Sequence, residues 1–312
     1  MKDSTSERYA IGADIGGTSI RSGLVNARGA IRRGSYQVVQ VDSKGSKESV
    51  LRALTDPFRR NLAQAREEGL RVAAIGVGMC GPLDYARGIC LIRGVDKYET
   101  LYGTDLKAEF RHRLKLSNSF PIQFEVDAWS FGRGEVWRGL GRGYRRVVAL
   151  TIGSGLGSAF LIDGIPYGEG PGVPPPYGWV GGLPFGGGIL DDRVSRRGIR
   201  AHLRSMASDR KSEVREWDVK DIAKAAQAGD RTCLQVFEET GEALGRTIAP
   251  NLDAFKAECL VVGGRIGQAL PVFEKTLRRR LASVSTLERI APARSVRYSA
   301  LWGAAKMAFS QL

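Results

Sequence analysis

The sequence predicts an α/β protein made of two layered halves. Each half holds an apolar strand, a glycine-rich turn and a returning strand. The first of these units leads into a helical pattern and then a buried strand, the alternation that produces a layered α/β fold. A chain of 312 residues with 43% hydrophobic content is also long enough for about two domains.

Taken in order, Tyr9 to Asp14 is a short apolar strand running into Ile15-Gly16-Gly17-Thr18, and Ile20 to Val25 is a second apolar stretch, so the pair reads as a hairpin. From Ser46 to Gly69 the apolar residues Val50, Leu51, Leu54, Phe58, Leu62 and Ala65 recur near helical spacing, and Val72 to Val77 reads as a buried strand. The second half repeats the theme. Val147 to Ile152 is a strand, Gly153-Ser154-Gly155-Leu156-Gly157 a turn, and Ser158 to Ile162 the return. Gly168 to Gly188, dense in Gly and Pro, reads as a long loop, a place where function often sits. Asp221 to Ala228 and Arg231 to Leu252 read as helices, Cys259 to Val262 as a strand ending in Gly263-Gly264, and Gly267 to Leu281 as a helix.

Composition narrows the function. The first ten residues lack the apolar core of a secretory signal and no stretch approaches the ~20 apolar residues that span a bilayer, so a cytoplasmic protein with no membrane partner is expected. Cys80, Cys90, Cys233 and Cys259 are irregularly spaced, and His112 and His202 are the only histidines, which supports neither a disulfide framework nor a zinc site. The formal charge of +14 fits either a polyanionic partner or a solvated basic surface. Scattered arginines and the lack of a recognisable module argue against nucleic acid.

Three glycine turns invite a phosphate reading. Around Gly16 and Gly17, backbone N–H groups can approach phosphate oxygens, Thr18 adds a hydroxyl, and Asp14 can orient Mg²⁺ through its water shell; a glycine hairpin with a buried Asp explains the same string. Gly153 to Gly157 invites the same reading through its recurrence in the second half. Gly263-Gly264 lets a nucleoside lie close to the backbone, or is an ordinary strand-to-helix turn. Asp127, at the end of Phe124-Glu125-Val126, is a helix cap, a buried ion-pair member or a catalytic carboxylate.

As an ordered set, Asp14-Ile15-Gly16-Gly17-Thr18 with Arg21, Gly81-Pro82-Leu83-Asp84 with Gly88, Val126-Asp127-Ala128, Gly153-Ser154-Gly155-Leu156-Gly157, Val194-Ser195 with Arg197-Gly198, Val261-Val262-Gly263-Gly264 and Leu301 with Gly303-Ala304-Ala305 resemble the ROK family of sugar kinases and repressors. That family shares the actin/hexokinase-like (ribonuclease H-like) ATPase fold. The resemblance spans nearly the whole chain. It implies two α/β domains flanking an active-site cleft, residues 1–126 with 299–312 and residues 127–298. It further implies ATP and Mg²⁺ as cofactors, a sugar or sugar-like acceptor, and a homodimer. By position, Asp14, Gly16, Gly17, Thr18 and Arg21 match the first phosphate loop, Gly153, Ser154, Gly155 and Gly157 the second, Gly263 and Gly264 the adenosine site, and Asp127 the catalytic base. Gly81, Pro82, Val126, Asp127, Trp179 and Asp191 match the acceptor site.

The chain departs from the family where the acceptor and zinc bind. Val126 stands where the family has Asn, and Gly178-Trp179-Val180-Gly181-Gly182 replaces its E-x-G-H segment. Phe185-Gly186-Gly187-Gly188-Ile189 replaces its zinc-binding cysteines, so no zinc is expected. Trp179 then offers either an apolar face to a deoxy, amino or cyclitol acceptor or packing for its own loop. Asp191 is expected to keep one polar contact to the acceptor. Val95-Asp96-Lys97 and Gly155-Leu156-Gly157-Ser158-Ala159 are similar to polyphosphate-using glucokinases, which makes polyphosphate the alternative donor. A non-catalytic sugar sensor is the reading outside catalysis; Asp127 and both phosphate loops argue against it.

Overall fold

Residues 7–207, 211–310 and 312 are described in a computed structural model, in which the chain divides into two α/β units. One takes the chain up to Arg138 together with Arg297–Leu312, the other Gly139–Val296. The first unit runs β1 (Arg8–Ile15), β2 (Ser19–Asn26), β3 (Gln37–Gln40), α1 (Lys47–Glu67), β4 (Arg71–Met79), a short pair β5 (Leu83–Asp84) and β6 (Ile89–Cys90), α2 (Leu106–Leu114), β7 (Ile122–Val126) and α3 (Asp127–Arg138), closed by a returning helix (Ser299–Phe309). The second runs β8 (Arg146–Ile152), β9 (Leu156–Ile162), β10 (Ile165–Tyr167), β11 (Pro184–Phe185), β12 (Gly188–Ile189), α4 (Leu190–Val194), α5 (Arg196–Met206), α6 (Lys211–Val214), α7 (Val219–Gln227), α8 (Arg231–Phe255), β13 (Cys259–Gly263), α9 (Gly264–Gly267), α10 (Leu270–Leu281) and β14 (Arg289–Pro292).

Both central sheets follow one plan. In the first the order is β3-β2-β1-β4-β7, in the second β10-β9-β8-β13-β14. A hairpin meander supplies the antiparallel side, β3 with β2 with β1 and β10 with β9 with β8, and the remaining pairs, β1 with β4, β4 with β7, β8 with β13 and β13 with β14, are parallel. Parallel strands are buried on both faces by helices and so read as continuous apolar runs. The periodic stretch from Ser46 becomes α1, with Ser46 accepting the Ser49 N–H as its cap. Val50, Leu51, Leu54 and Phe58 from that helix lie in one core with Ile11, Ile15, Ile75 and Val77 of the sheet.

Three differences from the expected elements have local causes. The helix expected over Gly267 to Leu281 is two, because Pro271 near the start of α10 supplies no N–H and favours a fresh helix start after Ala269. The long loop holds a single-turn helix, Val180–Gly182, and the small β11–β12 ribbon. The unit boundary falls after Arg138 and not between residues 126 and 127, because α3 packs on the returning helix. There Gly134 and Gly303 bring the backbones together: a Cβ on Gly134 would stand 1.8 Å from Ser299 O, and one on Gly303 1.7 Å from Ser130 O. Ser299 Oγ also donates to the buried Glu135 carboxylate at 2.5 Å.

No described helix is long and apolar enough to cross a membrane. None of the four cysteines is in a disulfide.

The helix contact yields a stability prediction. Gly303→Ala is expected to lower unfolding free energy by about 1–3 kcal/mol, the range for overpacking a close contact, as measured by urea denaturation. An unchanged midpoint would mean that the two helices separate at no cost.

Candidate active site

In the first unit, strand register assembles the site. Ile15 pairs with Met79 and Met79 with Val126, so β1, β4 and β7 end along one edge. The carboxyl ends of parallel strands are where open α/β sheets bind ligands. Asp14, Cys80 with Gly81-Pro82, and Asp127 therefore share that edge.

The turn after β1 is tight: Gly16 N–H donates to Ser19 O at 3.0 Å, and Thr18 at its tip is exposed. Tyr98, fully buried, donates its hydroxyl to Gly16 O at 2.5 Å and braces the turn from behind. Asp14 lies opposite Arg21 in the hairpin, and Arg21 Nη1 donates to Asp14 Oδ2 at 2.9 Å. Burial pushes the Asp14 carboxyl above its ordinary range, with Arg21 opposing and Asp127 adding to the rise.

Asp127 opens α3, its Oδ1 accepting the Ala128 N–H at 2.8 Å. Burial raises its pKa, opposed by that N–H and by the ammonium of Lys97. Beneath it, Glu125 is buried and paired with Arg133 at 3.1 Å and Ser130 Oγ at 2.8 Å, which fixes the start of α3 to the end of β7. The residue that sequence reasoning missed is Lys97. Its Cδ packs 3.4 Å from where a Gly17 Cβ would stand, and its ammonium reaches the Cys80 thiol, itself pushed up to about 11 by burial. Only the likeness of Val95-Asp96-Lys97 to polyphosphate-using enzymes had pointed at it.

In the second unit, the β8–β9 turn is shorter than expected. Gly153 N–H donates to Gly155 O at 2.9 Å, and Leu156 already pairs with Ile152. Gly157 consequently stands in β9 opposite Thr151, not in the turn. The exposed tip is Ser154 and Gly155. Gly263 also pairs with Thr151, and Gly264, at φ 80°, lies so close to Ile152 that a Cβ would stand 2.3 Å from its carbonyl oxygen. The two glycine motifs of this unit are thus neighbours.

Asp191 and Trp179 are both committed to that same turn. The Asp191 carboxylate accepts the Leu156 N–H, with Arg197 3.8 Å away, where a contact to the acceptor was expected. Trp179 Nε1 donates to Leu156 O at 2.7 Å, and its ring covers Gly182, where a Cβ would stand 2.9 Å from Cε3 and Cζ3. The indole packs its own loop and excludes a side chain at position 182. Among the described residues no group of three or more His, Cys, Asp or Glu side chains is arranged to hold a metal.

A repeated sheet of this order, with a glycine hairpin at the start of each unit and a carboxylate at the strand ends, is the architecture of the actin/hexokinase-like ATPases. The ROK family profile matches residues 10–310, and the chain belongs to that family. It is 28% identical over 286 residues to a glucokinase of Thermotoga maritima, covering 87% of this chain and 86% of the relative. Its fold is similar to a ROK family glucokinase from Streptomyces griseus in complex with glucose and AMPPNP, with a TM-score of 0.76, 24% identity and coverage of 97% and 99%. It is also similar to an inorganic polyphosphate/ATP-glucomannokinase from Arthrobacter sp. strain KM, at TM-score 0.66, 23% identity and coverage of 98% and 100%.

The Gly264–Ile152 contact generates a test. Gly264→Ala forces both a left-handed φ and a backbone clash, so stability is expected to fall by about 1–3 kcal/mol, read as a lower Tm; an unaltered Tm would mean the turn can rearrange freely.

Proposed function

We propose that this carbohydrate kinase transfers the terminal phosphoryl group of ATP to a hydroxyl of a sugar or sugar-like acceptor, with Asp127 as general base. The observation that carries the reading is the Asp127 carboxylate at the sheet edge, beside the Gly16-Gly17-Thr18 turn and Asp14. A neutral hydroxyl is a poor nucleophile. A carboxylate within hydrogen-bond reach orients it and accepts its proton as the phosphorus–oxygen bond forms. The rest of the task is holding charge. The N–H groups of Gly17 and Thr18 and of Ser154 and Gly155 are suited to phosphate oxygens, since the Gly16 N–H is spent on Ser19 O, and Gly263-Gly264 to a nucleoside laid against backbone. Asp14 keeps one carboxylate oxygen outside its Arg21 pair, which suits a Mg²⁺ ion held mainly by phosphates and water. Such an ion would neutralise charge on the transferring group.

The +14 charge and the likeness to the Arthrobacter enzyme support polyphosphate as a second donor. The Gly263-Gly264 turn, at the position that the family resemblance gives to adenosine, favours ATP, and turnover with ATP is expected to exceed that with polyphosphate at matched salt. Reversed rates would exchange the two readings.

Asp127→Asn preserves size but removes the proton acceptor, so turnover should fall by ~10² to 10⁴ while nucleotide binding persists. Near wild-type rates would remove Asp127 from the mechanism. Because burial raises its pKa, Asp127 holds a proton at a higher pH than the ordinary 3.8. Activity requires the ionised form, so it should be lost as pH falls through that raised value. The acid limb of the kcat/KM profile is therefore expected above 3.8; a limb at or below it would contradict the assignment.

A further inference from the structure

The cations near Asp127 differ in their commitments. Arg21 is taken by Asp14 and Arg133 by Glu125. Lys97 is half-buried, its ammonium meets the uncharged Cys80 thiol, and it forms no ion pair among the described residues. Its direction is informative. The stem passes Gly17 of the first phosphate loop, while the head lies at Cys80, next to Gly81-Pro82 on the acceptor side of the edge. The adjacent Tyr98 holds this segment in place through its hydroxyl on Gly16 O and its N–H on Ser43 O at 2.7 Å.

Beside Asp127 the same strand edge offers little to a neutral polyol. Val126, in line with Met79, is apolar. A half-buried ammonium that forms no ion pair among the described residues, with the Asp127 carboxylate in its field to engage a hydroxyl, is suited to an anionic group elsewhere on the same acceptor.

We propose that Lys97 selects an acceptor bearing an anionic group, a carboxylate or a phosphate, on the polyol that Asp127 activates. The inference rests on the kinase reading above and names its substrate class. The anionic group takes no part in bond exchange. The acceptor hydroxyl oxygen bonds to the γ-phosphorus, its proton passes to Asp127, and the bond to ADP breaks.

The test compares D-gluconate, D-glucuronate, D-glucose 6-phosphate and D-glucose as acceptors for the wild type, Lys97→Met, Lys97→Arg and an exposed-charge control, Lys220→Met. The same compounds are titrated calorimetrically without nucleotide. At least one anionic compound is expected to exceed glucose in kcat/KM, the carboxylate and phosphate arms telling which. Lys97→Met should shrink that ratio by about 10- to 100-fold, the worth of one hydrogen bond to a charged group; Lys97→Arg and Lys220→Met should largely keep it. Charge-selective binding that Lys97→Met abolishes, without turnover of any compound, supports the acceptor preference and sinks the kinase reading instead. Glucose equal or superior to every anion overturns the proposal. So does a Lys97→Met that lowers all acceptors alike, which would assign the lysine to the transferring phosphoryl group.

Discussion

The register of β1 on β4 and of β4 on β7 is the constraint on which the chemistry of the first unit rests. Because Ile15, Met79 and Val126 form one row, the residues that follow or adjoin them emerge together. A one-residue slip would send alternate side chains to the opposite face, parting Asp127 from Asp14 and from the Gly16 turn. The register is held by burial on both faces and by Glu125, whose pair with Arg133 and bond from Ser130 tie β7 to α3 just before Asp127. Breaking a buried pair of this kind typically costs 3–5 kcal/mol.

In the second unit the equivalent role passes to contacts made by side chains remote in sequence. Trp179 holds the Leu156 carbonyl from within the loop rich in glycine and proline, and Asp191 the Leu156 N–H from α4 just after it. Trp179 and Gly182 are therefore coupled: the indole fills the volume that a side chain at 182 would need. A side chain placed at 182 alone meets the indole ring.

What was legible in the sequence followed from local periodicity and turn chemistry. Both hairpins, α1, β4 and β13 come within a few residues of the expected bounds because apolar spacing and glycine encode them directly. Asp14, Arg21 and the first glycine turn were equally accessible. The misread features depend on neighbours that spacing does not reveal. Gly157 joins β9 because the turn closes at Gly155, and α3 belongs to the first unit because Gly303, far along the chain, admits it closely. Lys97 carries no motif of its own; only the fold brings it from the loop beyond β6 to Cys80.

The returning helix also orders the events of synthesis. The first unit is discontinuous in sequence: α3 and the sheet face await residues 299–309, which leave the ribosome after the whole of Gly139–Val296 has been made. The second unit has all its strands by then, whereas the first has a sheet with one face uncovered. Nascent chains stalled before Ser299 would thus present a finished second unit and an open first one, the latter exposing Ala10, Ala74 and the small residues of α3 to chaperones.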